Sequence, residues 1–285
     1  MQPDIDHARF LARILNRTTF TSLARGENPR DIFKLYLDKI DHIRISTTND
    51  LYAYAYNSIQ KNYRNEYIYK SAIADRIIFG RHSPNSSALS IELPVGSSIV
   101  DAAVFNGTST AYEIKTEFDS PRRLTSQTPD YTKAFDKIYI VTHPQQAKRY
   151  AEKADSHIGV LSLTSKGSFS EIKPATSNIE NIDQKIIFRM LRKDEYLPAL
   201  ERVTGEKIQL PNGIIRNHCE KIFLEIEKQA AHKIYIDAMR QRTTRPETVD
   251  FMRSLPSHLR VLGYASPLSR PQRARLLTAL EEKIN

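Results

Sequence analysis

The stretch SSIVDAAVFNGTSTAYEIKTEFDSP, residues 97–121, holds two short apolar segments around an Asn-Gly turn. Segments of this kind predict two paired β-strands. Three charged residues interrupt them: Asp101 in the first strand, and Glu113 and Lys115 in the second. A charged group in a partly buried strand costs free energy unless a partner compensates for it. The stretch therefore carries a polar site or exposes a charged face to solvent, and both interpretations are open at this point.

The length of the hairpin loop decides whether the three charges meet. The two charges of the second strand are two residues apart, so they share a face. A three-residue loop would pair Phe105 with Ser109 and set Asp101 opposite Glu113. A two-residue loop would pair Phe105 with Thr108 and turn Asp101 to the other face. A site that uses all three charges therefore predicts the three-residue loop or an equivalent bulge.

In the three-residue geometry, the carboxylates of Asp101 and Glu113 can share one divalent cation. Mg²⁺ takes oxygen ligands and usually keeps several waters. Such an ion polarises a phosphate oxygen and makes a bound water a better nucleophile. Lys115 would orient that water or stabilise the charge that develops on the phosphate. The three residues thus point to phosphodiester hydrolysis, with a solvated hairpin as the other interpretation.

The tripeptide Glu-Ile-Lys occurs a second time, at residues 171–173, and this copy is an internal control. No aspartate lies in a strand shortly before it, and only Pro174 and a polar stretch follow it. The first copy is followed by RRLTSQTPDYTKAFD, residues 122–136, in which Gln127 and Tyr131 are four apart. On a helix these two residues would lie on one face. The context of the first copy, rather than the tripeptide itself, is what distinguishes it.

The residues that carry a family resemblance follow one another along the chain: Asp101, Glu113, Lys115, Gln127 and Tyr131. In this order and spacing they resemble the PD-(D/E)xK nuclease superfamily. They resemble in particular its branch with a glutamine-x-x-x-tyrosine helix, which includes RecB-like and phage-lambda-exonuclease-like enzymes. The longer pattern RL..Q...Y...FD is similar to small bacterial members of largely unassigned role. The resemblance covers roughly residues 60–165, and Val100 stands where the superfamily name expects proline.

The resemblance implies a site for Mg²⁺ or Mn²⁺ whose ligands are two carboxylates and one backbone group: Asp101, Glu113 and Ile114. Such folds also place an acidic residue on the helix before the sheet. The candidate for that position is Glu66, followed by Asp75 and then by Glu92 on the preceding strand.

The resemblance also implies that Lys115 is the catalytic lysine, and that Gln127 and Tyr131 contact the substrate or the metal shell. Arg122 and Arg123 suit contacts with the phosphates of a nucleic acid. Ion pairs with nearby aspartates are an equally open interpretation of these two arginines.

The order of elements along the chain predicts an α/β fold. Helices are expected over residues 4–45 and over the tyrosine-rich stretch 51–80. Three strands follow in SALSIELPV, SIVDAAVFN and STAYEIKTEF, and then two buried strands, KIYIVTH and HIGVLSLT, flank the helix PQQAKRYAEKAD. Beyond about residue 176 only amphipathic helices are expected.

Together with the resemblance, this order of elements predicts a restriction-endonuclease-like core with a central mixed β-sheet flanked by helices and helical additions at both ends. The expected division is 1–55, an N-terminal helical region; 56–175, the nuclease-like core; and 176–285, a C-terminal helical region.

Composition narrows the function classes. The net charge of +9 and the pI near 9.5 favour a polyanionic partner, most commonly a nucleic acid. For a nuclease of the kind that the resemblance implies, DNA is the favoured substrate over RNA, although the charge itself does not distinguish them. The single cysteine excludes internal disulfides and cysteine-ligated iron–sulfur or zinc sites. Apolar runs are too short to span a membrane, so a cytoplasmic protein without membrane contact is expected.

The expected function is that of a metal-dependent nuclease, and defence against phage or foreign DNA is a fitting role. An RNA-cleaving, toxin-like nuclease is a variant of this function. The alternative from another class is a non-catalytic module that binds nucleic acid or protein through a nuclease-like fold. The C-terminal helices suit a protein partner as well as a substrate, and the oligomeric state stays open.

Overall fold

The computed structural model describes residues 5–40, 45–119 and 129–284. By packing, the chain forms two compact units: a helical unit of Met1–Arg81 with Pro246–Asn285, and an α/β unit of His82–Arg245. The sequence-based division at residues 55/56 and 175/176 groups the chain differently. Packing joins residues 246–285 to the first helices, and it joins residues 176–245 to the sheet.

The helical unit is built from short helices of both chain ends. Its elements are α1 Ile5–Ala12, α2 Arg17–Arg25, α3 Pro29–Leu37, α4 Thr48–Asn62, α5 Glu66–Ala72, a π-helix Ile73–Arg81, α11 Pro246–Ser254, a 3₁₀ helix Ser257–Leu259, α12 Arg260–Ala265 and α13 Arg270–Glu281. The last helix, α13, packs against α2 and α4, and α1 packs against α4. A β-bridge between Thr47 and Lys283 also ties the two ends of the chain together.

The helical conformation predicted over residues 51–80 is confirmed, although the chain breaks between α4 and α5. Tyr63 leaves the helical conformation, with φ −152° and ψ 78°, and the helix restarts at Glu66. A π-helix then replaces the α-helix from Ile73 to Arg81. The four-residue spacing of the tyrosines continues on both sides of this break, so the periodicity does not reveal it.

The α/β unit contains one six-stranded mixed sheet. Its strands are β1 Ala88–Val95, β2 Ser98–Phe105, β3 Ser109–Lys115, β4 Lys137–Thr142, β5 Gly159–Leu163 and β6 Phe169–Lys173. They lie in chain order across the sheet. The pairs β1–β2, β2–β3 and β5–β6 are antiparallel, whereas β3–β4 and β4–β5 are parallel. The mixed sheet and its first five strands confirm the expected α/β class, and β6 is an addition that the sequence did not predict.

Helices flank this sheet and complete its core. They are α6 Pro144–Lys153, a 3₁₀ helix Ile179–Asn181, α7 Gln184–Met190, α8 Lys193–Thr204, α9 Asn212–Glu225 and α10 Lys228–Gln241. The parallel strands β4 and β5 need a crossover connection, which α6 supplies. On the first strands, Tyr235 of α10 meets Phe105 of β2 edge-to-face, with the ring centroids 5.5 Å apart. Residues 176–245 therefore belong to the unit that contains the sheet.

Within the described ranges, no helix combines the length and the apolar character that a membrane span requires.

Candidate active site

The β2–β3 hairpin has the three-residue loop that a shared site requires. Phe105 pairs with Ser109, and the pairing continues to Ala102 opposite Tyr112. Gly107 in the loop has φ 127°, a conformation that side chains with a Cβ rarely adopt. Continued by one residue, this register sets Asp101 opposite Glu113.

Asp101 is fixed by a backbone hydrogen bond across the hairpin. The regular ladder ends at Ala102, and beyond it the Ile114 N–H donates to Oδ2 of Asp101 at 2.7 Å. The carboxylate therefore stands where a ladder acceptor would otherwise be. This bond orients Asp101 toward β3, the strand that carries Glu113.

Glu113 and Lys115 form an ion pair on one face of β3. The Lys115 ammonium donates to Oε1 of Glu113 at 2.5 Å. The Lys115 side chain is only 12% exposed, and that of Glu113 only 10%. An ion pair with so little contact with water is costly to assemble. With Asp101 on the neighbouring strand, the cluster brings two carboxylates and one ammonium together.

Tyr131 completes the cluster from the helical segment 129–132. Its hydroxyl oxygen lies 2.9 Å from Oε2 of Glu113 and 2.7 Å from the Ile99 carbonyl oxygen, so one proton serves two acceptors. Burial raises the pKa of Tyr131, and the neighbouring charges of Glu113 and Asp101 raise it further. The phenol therefore keeps its proton and remains a hydrogen-bond donor to Glu113.

The sequence did not single out Asp130, which holds the Tyr131 segment on the sheet. Oδ2 of Asp130 accepts from the Ser97 hydroxyl at 2.8 Å and from the Ser98 hydroxyl at 2.7 Å. Both hydrogen bonds lower the pKa of Asp130, and the bond from Ser98 has the larger effect. A Cβ at Gly96 would lie only 2.9 Å from Oδ1 of Asp130. Glycine at this position therefore allows the turn before β2 to approach the carboxylate closely. The adjacent Asp-Tyr pair and the Gly-Ser-Ser turn are visible in the sequence, but their contact is not.

Two more polar contacts lie near Lys115, at the carboxyl ends of β3 and β4. Thr142, at the end of β4, donates its hydroxyl to the Lys115 carbonyl at 2.7 Å. The His143 imidazole lies 4.0 Å from the Glu117 carboxylate. Carboxyl ends of neighbouring parallel strands are a common place for ligand sites in α/β sheets.

Two of the three candidates for an additional acidic ligand lie in the helical unit. Glu66 belongs to α5, where it pairs with Lys70 at 2.5 Å. Asp75 belongs to the π-helix and pairs with Arg260 at 3.0 Å.

Glu92, the third candidate, belongs to the sheet itself. Its neighbours Ile91 and Leu93 pair with Ala102 and Val100, so Glu92 is level with Asp101 on the next strand. It has φ 53° and is the sole non-glycine residue of positive φ among the described residues. A left-handed residue inside a strand is strained, and such strain is often found at functional sites.

The remaining predicted site residues, Arg122, Arg123 and Gln127, lie outside the described residues. Pro129 is the first described residue of the helical segment that carries Tyr131, and proline is well tolerated in a first helical turn.

The carboxylate oxygens of this site suit a hard divalent cation that keeps many of its bound waters. Among the residues that the structure describes, no three side chains of His, Cys, Asp or Glu form a group that could hold a metal ion. Asp101 and Glu113 nevertheless offer two carboxylates on adjacent strands, each oriented by a hydrogen bond. Mg²⁺ typically binds through one or two carboxylates and completes its shell with water and substrate phosphate. The residues present therefore fit Mg²⁺ or Mn²⁺ with an open shell.

Comparison with known proteins gives one family. The sequence profile described as "Bacteriophage P4 protein cII" matches residues 59–261, more than half of the chain. The protein named "Protein cII" of Enterobacteria phage P4 is 34% identical over 73 residues, which are 26% of this chain and 28% of that protein. The chain thus matches well under two thirds of that relative. No solved structure matches the chain significantly. On the extent of the profile match, the chain belongs to the bacteriophage P4 cII protein family.

Proposed function

We propose that this protein is a metal-dependent nuclease that hydrolyses phosphodiester bonds, with DNA favoured over RNA. The cluster of Asp101, Glu113 and Lys115 carries this proposal. Glu113 and Lys115 are largely withdrawn from water, and Asp101 lies on the strand beside them, held by the Ile114 N–H. Two carboxylates on adjacent strands suit a divalent cation, and the ammonium beside them suits a phosphate. The six-stranded mixed sheet is compatible with the finer fold proposal, a restriction-endonuclease-like core of the PD-(D/E)xK type.

The proposed metal ligands are Asp101, Glu113 and the backbone of Ile114. When bound there, Mg²⁺ or Mn²⁺ would polarise a phosphate oxygen and make a bound water more nucleophilic. Glu92 is the favoured candidate for a third acidic group, because β1 runs beside β2 and places it level with Asp101. Glu66 and Asp75 remain the sequence-based candidates.

Each remaining residue of the cluster has a role that follows from its contacts. The Ile114 N–H orients Asp101, and the Tyr131 hydroxyl orients Glu113. Lys115 lies against Glu113 and carries the positive charge that would orient the attacking water or stabilise the developing phosphate charge. Tyr131 acts as a positioning residue in this scheme, since it reaches the site through Glu113.

Nucleic acid is the proposed partner because of the net charge of +9. Contacts of Arg122 and Arg123 with phosphates, and of Gln127 with the substrate or metal shell, belong to the same proposal. Defence against phage or foreign DNA is the setting that we propose for such an enzyme.

Cleavage of labelled single- and double-stranded DNA and RNA tests the proposal. Reactions contain Mg²⁺, Mn²⁺ or EDTA and compare the wild type with Asp101→Ala and Lys115→Ala. Lys173→Ala is the matched control, because it changes the second Glu-Ile-Lys copy. The expected result is metal-dependent cutting that both site variants abolish and the control keeps.

Two results would count against this proposal. Cutting that survives both site variants would show that these residues are not the active site. Salt-dependent binding without cutting in any metal would favour the non-catalytic binding module.

A further inference from the structure

A cleft of about 530 Å³ opens beside the candidate active site. It is bounded by the helical segment 129–132, by the end of α6 with the loop that follows it, and by Asn181 of the 3₁₀ helix. Its volume is within the range of small-molecule and cofactor pockets. The cleft is thus large enough for one nucleotide.

The cleft adjoins Glu113 on the same face of the sheet. Ile140 of β4 lines it, and Ile140 is the residue paired with Glu113 across the parallel ladder. Side chains at paired positions of neighbouring strands point to the same face. In addition, Tyr131, which contacts Glu113, is followed directly by Thr132, which lines the cleft. One helical segment therefore borders both the cleft and the site.

The charges of the cleft suit an anion. Lys133 and Lys153 line it, and both are exposed. Lys133 also interacts electrostatically with Asp130 outside the lining and helps to lower the pKa of that carboxyl. His157 is a third nitrogen donor, and the carboxylate of Asp155 is the opposing charge in the lining. Within the lining, two lysines face one acid, which favours a phosphate.

Four of the remaining lining residues are apolar, and Thr132 and Asn181 are polar. Pro129, Ala154, Ile140 and Ile158 line the cleft beside the lysines. An apolar wall next to cationic groups matches a ligand that joins a flat, poorly hydrated base to a phosphate.

We propose that this cleft binds a nucleotide unit, with its phosphate against Lys133 and Lys153 and its base or sugar against the apolar wall. The unit belongs to a nucleic-acid strand that continues from the scissile bond at Glu113, or it is a free nucleotide. The choice of a nucleotide rests on the proposed function. The binding itself requires no cleavage.

The test measures binding in an Asp101→Asn background, so that cleavage does not consume the ligand. The probes are adenosine 5′-monophosphate, followed by titration calorimetry, and a short fluorescent single-stranded oligodeoxynucleotide, followed by anisotropy. The double variant Lys133→Gln/Lys153→Gln is compared with Lys166→Gln, which removes an exposed lysine of the β5–β6 turn outside the cleft. Thermal unfolding verifies that all variants remain folded.

Removal of the two cleft lysines is expected to weaken binding by about tenfold for each lysine, and Lys166→Gln is expected to leave it unchanged. If only the binding of the oligonucleotide weakens, the bound group is a backbone phosphate. The slope of log K against log salt then becomes shallower by about 0.7 for each lysine–phosphate interaction that the substitutions remove. Weaker binding of the monophosphate identifies a free nucleotide.

The proposal is overturned if neither probe binds the parent protein, or if the double variant binds both probes as tightly as the Lys166→Gln control. Because cleavage by the wild type is measured separately, these results leave the nuclease proposal intact, and a failure of cleavage does not affect them.

Discussion

The chain contains the tripeptide Glu-Ile-Lys on two strands of one sheet, and the two copies have different surroundings. On β3, an interior strand, Glu113 is buried and contacts Lys115 and Tyr131. On β6, an edge strand, Glu171 is exposed and accepts a hydrogen bond from Tyr139 at 2.7 Å.

The two lysines differ as much as the two glutamates. Lys115 faces the Glu113 carboxylate, whereas Lys173 donates to the backbone carbonyls of Ala154 and Asp155 at the end of α6, at 2.9 and 2.8 Å. The first lysine is thus part of a charged cluster and the second stabilises a helix end. The difference arises from the neighbouring strands: β2 brings Asp101 to the first copy, whereas β5 has the sequence GVLSL and brings no acidic residue to the second.

The glutamates give the largest expected contrast. Glu113→Gln should reduce metal-dependent cleavage by at least about a thousandfold, because a neutral amide replaces a proposed metal ligand whose contribution would be several kcal/mol. Glu171→Gln should leave the rate unchanged. Initial rates on a labelled oligonucleotide decide this, and equal rates for the two variants would remove the functional distinction between the copies.

The lysines give the next contrast. Lys115→Met should lower the cleavage rate by about a hundredfold, since it removes the charge that we propose stabilises the developing phosphate charge. Lys173→Met should retain full activity while its stability falls by up to about 1 kcal/mol, because its two bonds to carbonyl oxygens are removed. Cleavage assays and urea denaturation of both proteins separate the two effects. Impaired activity in Lys173→Met would contradict its assignment as a purely structural residue.

The tyrosines that contact the two glutamates extend the comparison to stability. Tyr131→Phe should lower the free energy of unfolding by about 1–2 kcal/mol, because it removes a buried hydroxyl with two acceptors. Tyr139→Phe removes a hydroxyl that contacts an exposed carboxylate, so its effect should stay within about 0.5 kcal/mol. Urea unfolding curves measure both values, and a larger decrease in Tyr139→Phe would reverse the comparison.

Alkaline pH should affect the contribution of Tyr131. Its pKa in the folded protein is raised by burial and by Glu113, so the unfolded chain loses the phenol proton first, near the ordinary value of 10.0. The stabilisation is fully present below that pH and declines above it, by at most about 1.4 kcal/mol per pH unit. The stability difference between wild type and Tyr131→Phe should therefore be constant to about pH 10 and shrink above it. Urea unfolding across this range measures the difference, and a difference that stays constant to about pH 11 would contradict the prediction.

The hairpin shows how far local sequence rules lead. Alternation located β2 and β3, and the requirement that Asp101 meet Glu113 selected the three-residue loop that the register confirms. These features depend on residues close together in sequence, so pattern and turn geometry suffice to predict them. The roles of the three charged residues remain predictions.

Features that depend on distant contacts could not be predicted in this way. Strand β6 has mostly exposed residues and includes Ile172 at 45% exposure, so no apolar alternation marks it, and its pairing with β5 alone makes it a strand. The contact of Asp130 with Ser97 and Ser98 joins segments that are 33 and 32 residues apart. Short-range periodicity carries no information on such contacts.

Binding of Mn²⁺, followed by electron paramagnetic resonance without any nucleic acid, tests the central claim most directly. The account predicts a bound ion in the wild type and in Glu171→Gln, with affinity at least about tenfold lower in Asp101→Asn and in Glu113→Gln. Thermal unfolding of each variant serves as the control for folding. Equal Mn²⁺ binding by all four proteins, or no binding by the wild type, would contradict a metal site at the β2–β3 hairpin.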